Sequence, residues 1–190
     1  MKIFKQETNK SCGVACLRSI FNYYGNNFSE EDIRRKNNSY KTGDGIRNPI
    51  ISLGVTALKL GFKVKYVGYN PIIANNNQGD LKKSLIGKQK DYFGIGKFYV
   101  DNAVEFLKLG GEIIVDKLNI QKLKKTIDKE KFILVEIKPA FINKKSSLSM
   151  NHKIIIDGYN KKGFHILNPN GKKEIYNFDD FLLAFYAAVP

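Results

Sequence analysis

The sequence predicts an α+β fold in which an N-terminal helix carrying Cys12 packs on an antiparallel sheet built by the last third of the chain. Three observations point to it. Apolar residues recur at helical spacing from Cys12 to Tyr24, strand-length apolar or alternating runs dominate from Phe132 onward, and Gly and Asn mark the boundaries between them. Helices come first and strands last, the order of an α+β rather than an α/β chain.

Taken in order, Ser11 is placed to cap the helix that begins at Cys12, and Gly25 to stop it. Ser29-Glu30-Glu31-Asp32 reads as a second capped start with an acidic first turn. Gly43-Asp44-Gly45 reads as a loop. Asn48 to Leu60 fits a helix stopped by Gly61, and Phe62 to Val67 alternates like a strand. From Gly68 to Gly111 the pattern weakens: Asn75 to Gly79 reads as an exposed loop and Asp91 to Gly96 as a turn-rich aromatic segment. Helical pieces are expected at Leu81 to Ile86 and Val100 to Leu109. A short strand at Glu112 to Val115 precedes a basic amphipathic helix over residues 119–130. Strands are then expected at Phe132 to Ile137, His152 to Tyr159, Gly163 to Leu167 and Lys173 to Tyr176, and a closing helix from Phe178 to Phe185. No repeat or linker is visible, so residues 1–190 are read as a single domain.

The 190 residues carry 32 Lys and Arg against 18 Asp and Glu, a formal net charge of +14. At this length a domain hides roughly 70% of the surface of its unfolded chain, enough for a core without metals or disulfides. With 43% hydrophobic residues the chain is not disordered. Two cysteines four positions apart make no disulfide framework and suit a reducing compartment or a chemical role for one thiol. No run approaches the ~20 apolar residues of a membrane span. Met1 to Gln6 lacks the apolar core of a secretory signal, so cytoplasmic residence is the default expectation. Lysine is scattered rather than clustered, which argues against nucleic acid and keeps an acidic partner in view.

The chemistry starts at Cys12. A thiol at the first position of a helix faces unpaired N–H groups and the positive end of the dipole, which favour the thiolate. Gln6, six residues upstream, can aim its NH2 at the oxygen that becomes charged when that thiolate attacks a carbonyl, together with the Cys12 N–H. At the other end, His152 opens one strand and Asn168 closes the next. The turn at Asn160 to Gly163 returns Asn168 alongside His152, so the imidazole can take the Cys12 proton and the carboxamide can orient the ring.

The succession Gln6, Cys12-Gly13-Val14-Ala15-Cys16-Leu17, Tyr23-Tyr24-Gly25, His152, Gly158-Tyr159 and Asn168-Pro169-x-Gly171 resembles the peptidase C39 and C39-like group of papain-fold cysteine peptidases. The resemblance covers both ends of the chain. It implies a papain-like fold, Cys12 as nucleophile, His152 as general base, Gln6 as oxyanion donor and Asn168 as orienter. It also implies peptide or protein substrates and no cofactor. Well-known members cleave leader peptides after a double glycine. One position departs from the group: Asn168 stands where Asp is usual, which keeps the orienting role and removes a charge that would stabilise imidazolium.

Other readings differ in class. Acyl transfer to an amine is chemically adjacent to hydrolysis, and a non-catalytic peptide-binding module or an adaptor for an acidic partner would use the same cleft. Cys16 is expected in the core, His165 as a structural histidine and Asp157 on a strand edge. Zinc on Cys12, Cys16, His152 and His165 would lack the usual C-x2-C knuckle and leave Gln6 and Asn168 unexplained.

Overall fold

Contacts divide the chain into two units, Met1–Ile33 with Leu118–Pro190, and Arg34–Lys117. A computed structural model describes residues 1–42, 45–68, 70–75, 80–130, 132–143 and 151–188, with backbone alone at 42, 45–47 and 130. In chain order the elements are α1 (Cys12–Tyr23), α2 (Glu30–Lys36), β1 (Tyr40–Thr42), β2 (Gly45–Arg47), α3 (Ile50–Lys59), β3 (Lys65–Gly68), α4 (Pro71–Ala74) and α5 (Leu81–Lys88). There follow α6 (Gly94–Lys108), β4 (Glu112–Val115), α7 (Ile120–Glu130), β5 (Ile133–Ile137), β6 (His152–Asn160), β7 (Gly163–Asn168), β8 (Lys172–Tyr176) and α8 (Phe178–Ala188).

In the first unit β5, β6, β7 and β8 form one antiparallel sheet in that order. The run from Lys153 to Ile156 is buried throughout because helices cover both faces. On one face Val135, Ile137, Ile154, Ile156, Phe164 and Ile166 pack with Leu123 and Ile127 of α7 and Phe181 and Ala184 of α8. On the other, Ile155 and Leu167 meet Cys16 of α1. The basic helix is thus amphipathic as expected, with Leu123 and Ile127 buried and Lys122, Lys125 and Lys129 exposed.

The α1 boundaries match expectation, but the reason at the N-terminus differs. Ser11 is buried and spends its hydroxyl on Thr8, accepting from the Thr8 N–H at 3.0 Å and donating to the Thr8 carbonyl at 3.1 Å. It does not cap the helix, whose first N–H groups stay uncovered by it. Gly25, at φ +84°, ends α1 as expected. At α2 the capping box holds: the Asp32 N–H donates to Ser29 Oγ at 3.1 Å and the Ser29 N–H to Asp32 Oδ2 at 2.9 Å.

The second unit centres on α3 and α6, with Ile51, Val55, Ile73, Leu85, Val100, Ala103, Val104 and Phe106 as its core. Beside them β3 and β4 pair in parallel. Here the sequence reading needed correction. The strand expected from Phe62 begins at Lys65, and the aromatic turn expected through Gly96 is already helical from Gly94. Gly94 and Gly96 weaken the local helical signal, and the buried stripe further along α6 overrides it. The antiparallel β1–β2 pair and the single turn of α4, capped by Asn70, depart from the sequence expectation. Residues 43–44 and 76–79 of the two expected loops lie outside the described residues. Among the described residues no helix is long and apolar enough to cross a membrane.

The β6–β7 hairpin turns tightly at Gly163, whose φ is +153° and where an added Cβ would lie 2.0 Å from the Tyr176 carbonyl oxygen. Gly163→Ala is expected to cost about 2–3 kcal/mol, from backbone strain and the clash with β8, read as a lowered denaturation midpoint. Unchanged stability would contradict that turn geometry.

Candidate active site

The segment before α1 is pinned by three backbone N–H groups. Phe4 donates to Ser19 Oγ at 3.0 Å, Gln6 to the Pro169 carbonyl at 2.8 Å and Glu7 to the buried Glu30 carboxylate at 3.1 Å. The middle bond ties Gln6 to the residue that follows Asn168. Its side-chain amide donates one proton to the Thr8 carbonyl at 2.8 Å, and an NH2 has a second proton to offer.

Cys12 opens α1, half-buried, and the His152 imidazole acts on its thiol as a hydrogen-bonding neighbour that favours the thiolate. Burial alone would push this thiol up. The His152 hydrogen bond, the Lys153 charge, the His152 charge and a backbone bond from Lys153 outweigh burial and hold it below the ordinary thiol value. His152 is the mirror image: burial would lower it, but the bonds to Cys12 and Asn168 and the thiolate charge raise it, against opposition from Lys153. One interaction drives both shifts, each toward the charged form, thiolate on Cys12 and imidazolium on His152.

Cys16 lies one turn along α1, fully buried, with its thiol donating to the Lys153 carbonyl at 3.5 Å. Burial, reinforced by the Cys12 and Glu30 charges, pushes it well above the ordinary value. The two cysteines therefore diverge: Cys12 is held below the ordinary thiol value and Cys16, in the core, above it.

Asn168 is buried, with Oδ1 3.0 Å from His152 Nε2. Behind it stand two residues the sequence reading missed. Asn168 Nδ2 donates to Glu174 Oε2 at 2.8 Å and lies 3.4 Å from Tyr176 Oη, which itself donates to Glu174 Oε2 at 3.1 Å. Burial first, then the neighbouring Glu174 carboxylate, pushes the Tyr176 phenol upward and keeps it a donor. Lys153, also missed, is buried and paired with Glu136 at 3.1 Å across β5 and β6. Hairpin register was the signal for Glu174 and Tyr176, and a lysine inside an apolar run was the signal for Lys153. His165 lies on β7 against Gly158, away from the thiol–imidazole contact. No three metal-ligating side chains cluster among the described residues.

An N-terminal helix docked on an antiparallel sheet, with a thiol and an imidazole meeting near their junction, is a papain-like α+β fold of the cysteine-peptidase kind. Within that class the chain belongs to the peptidase C39 family, whose model matches residues 1–104, more than half of its length. No curated protein matches the chain. The matched stretch holds Gln6 and Cys12, whereas His152 and Asn168 lie beyond it.

The contrast between the thiols is directly measurable. Iodoacetamide should label Cys12 alone in the folded protein, with a rate inflection below the ~8.5 of a free thiol. Cys16→Ala should leave labelling intact and Cys12→Ala should abolish it. Labelling that follows Cys16 would overturn the assignment.

Proposed function

We propose that the chain hydrolyses a peptide or amide bond through Cys12, His152 and Asn168, by an acyl-enzyme mechanism. The observation that carries this reading is the His152 imidazole, with Nε2 3.0 Å from Asn168 Oδ1 and the Cys12 thiol as its other partner, together with opposite shifts of the thiol and the imidazole.

His152 takes the Cys12 proton, and the thiolate attacks the carbonyl carbon. A C–S bond forms while the carbonyl electron pair moves onto oxygen. The Cys12 N–H and the Gln6 amide are the donors available to that oxyanion, the first because Ser11 leaves the helix start uncapped and the second because Pro169 tethers the Gln6 backbone. Collapse breaks the C–N bond, and the departing amine takes the proton from imidazolium. Water, deprotonated by His152, then attacks the thioester. The C–S bond breaks, the acid is released and the thiolate returns beside imidazolium.

The family makes peptides the substrate class to test first, and a peptide with a double-glycine leader is the specific candidate within it. Cleavage of such a peptide, followed by mass spectrometry after acid quench, should reveal a thioester on Cys12. Cys12→Ala and His152→Ala should each lower kcat by roughly a thousandfold or more, and Gln6→Ala by roughly 100- to 1,000-fold with little change in KM. Cleavage that survives Cys12→Ala would refute the mechanism.

A further inference from the structure

Asn168 is the position where the chain departs from the pattern of the group it resembles, and the atoms around it show what compensates. The orientation of its amide is determined twice, independently. The Asn170 N–H can only donate, so the atom it meets at 3.1 Å is the Asn168 oxygen. A carboxylate oxygen of Glu174 accepts, so the atom 2.8 Å from it is the Asn168 nitrogen. With Oδ1 so assigned, the His152 nitrogen 3.0 Å away is the one that carries the proton, and Nδ1 remains for Cys12.

Sheet register makes this arrangement unavoidable. Phe164 pairs with Tyr176, Ile166 with Glu174 and Asn168 with Lys172. Alternate residues share a face, so Asn168, Glu174 and Tyr176 lie on one side of β7 and β8, with Glu174 on the diagonal from Asn168. Tyr176, half-buried, donates its phenol proton to the same Glu174 oxygen and holds the carboxylate in place.

We propose that Glu174 is a positioning residue of this site: its carboxylate locks the Asn168 amide with oxygen toward His152, and it restores, one residue further out, the negative charge that an Asp at position 168 would have carried. The inference rests on the Cys12–His152–Asn168 reading and adds a fourth member behind it. The charge acts through a polarised amide, favouring imidazolium over imidazole. The other charged or titratable groups acting on His152 are Cys12 from α1 and Lys153 of its own strand, the latter paired with Glu136 of β5. Asp157, His165 and Lys173 line a shallow groove along β6, β7 and β8, next to Ile166 and Glu174.

The test is Glu174→Gln, which keeps size and removes charge. The chain has two histidines, so a His165→Gln variant assigns the remaining imidazole signal to His152 in an NMR pH titration. The His152 midpoint should fall by on the order of one pH unit, and Cys12 alkylation by iodoacetamide at near-neutral pH should slow by up to about tenfold. In the Glu174→Gln background, Asn168→Asp should return the His152 midpoint toward the parent value, because it restores one carboxylate to the line. A merely structural Glu174 would give neither the midpoint shift nor the reversal.

A midpoint unmoved by Glu174→Gln, or one that Asn168→Asp fails to restore in the Glu174→Gln background, would overturn the proposal. If Glu174→Gln loses its fold by circular dichroism, the double variant carries the test alone: a parent-like midpoint supports the proposal and a depressed one defeats it. A parent protein whose Cys12 alkylates as an ordinary thiol would instead sink the Cys–His reading itself.

Discussion

The site depends on a β-bulge. Along the β6–β7 hairpin Asn160 pairs with Gly163, Tyr159 with Phe164 and Gly158 with His165. The register then skips Asp157, so that Ile156 meets Ile166 and Ile155 meets Leu167. Without the skip, Asn168 would fall opposite Ile155 and share a face with Lys153, on the side of the sheet covered by α1. With it, the register continues to place Asn168 opposite Ile154, on the face shared by His152. One extra residue therefore decides whether the imidazole and the carboxamide point the same way. Gly158 permits the irregularity, since an added Cβ there would lie 2.9 Å from His165 Nδ1.

A second constraint joins the helix to the sheet at the peptide of Lys153. Its carbonyl accepts from Cys16, its backbone contributes a bond to Cys12, and its neighbour in sequence is His152. Cys16 is small enough to let α1 approach β6 closely, and its weak S–H donor suits a carbonyl already committed to a strand. Lys153 is the only buried lysine among the described residues. Its ammonium, held by Glu136, adds positive charge beside the nucleophile while opposing the imidazolium. After burial, the interaction between Cys12 and His152 is the largest influence on each group and exceeds that of the Lys153 charge.

Much of this was legible in the sequence, for local reasons. Cys12 announced itself by a helix start, Gln6 by its spacing from that start, and His152 and Asn168 by lying at the two open ends of a hairpin with a short turn. What stayed hidden depended on non-local register. Glu174 and Tyr176 read as ordinary residues of an alternating strand until β8 is paired with β7. The bulge at Asp157 could not be counted from the turn, and the expectation that Asn168 returns to His152 held only because of it. The N-terminal start of α6 was masked by Gly94 and Gly96, since its stability comes from burying Val100, Val104 and Phe106 rather than from local propensity.

The family match ends at residue 104, while His152 and Asn168 lie in strands beyond it. This division follows from how each half is specified. A helix that must offer a thiol, uncovered N–H groups and a close-packed face to a sheet tolerates few residues at Cys12, Gly13 and Cys16, so its sequence pattern is recognisable. A hairpin can present a histidine and an amide from many apolar sequences, provided the register is kept, because its strands need only alternate burial with the right parity. The functional constraint on the second half is therefore geometric. Asn168 fits that view, because the cross-strand geometry places a Glu174 carboxylate oxygen 2.8 Å from its amide nitrogen.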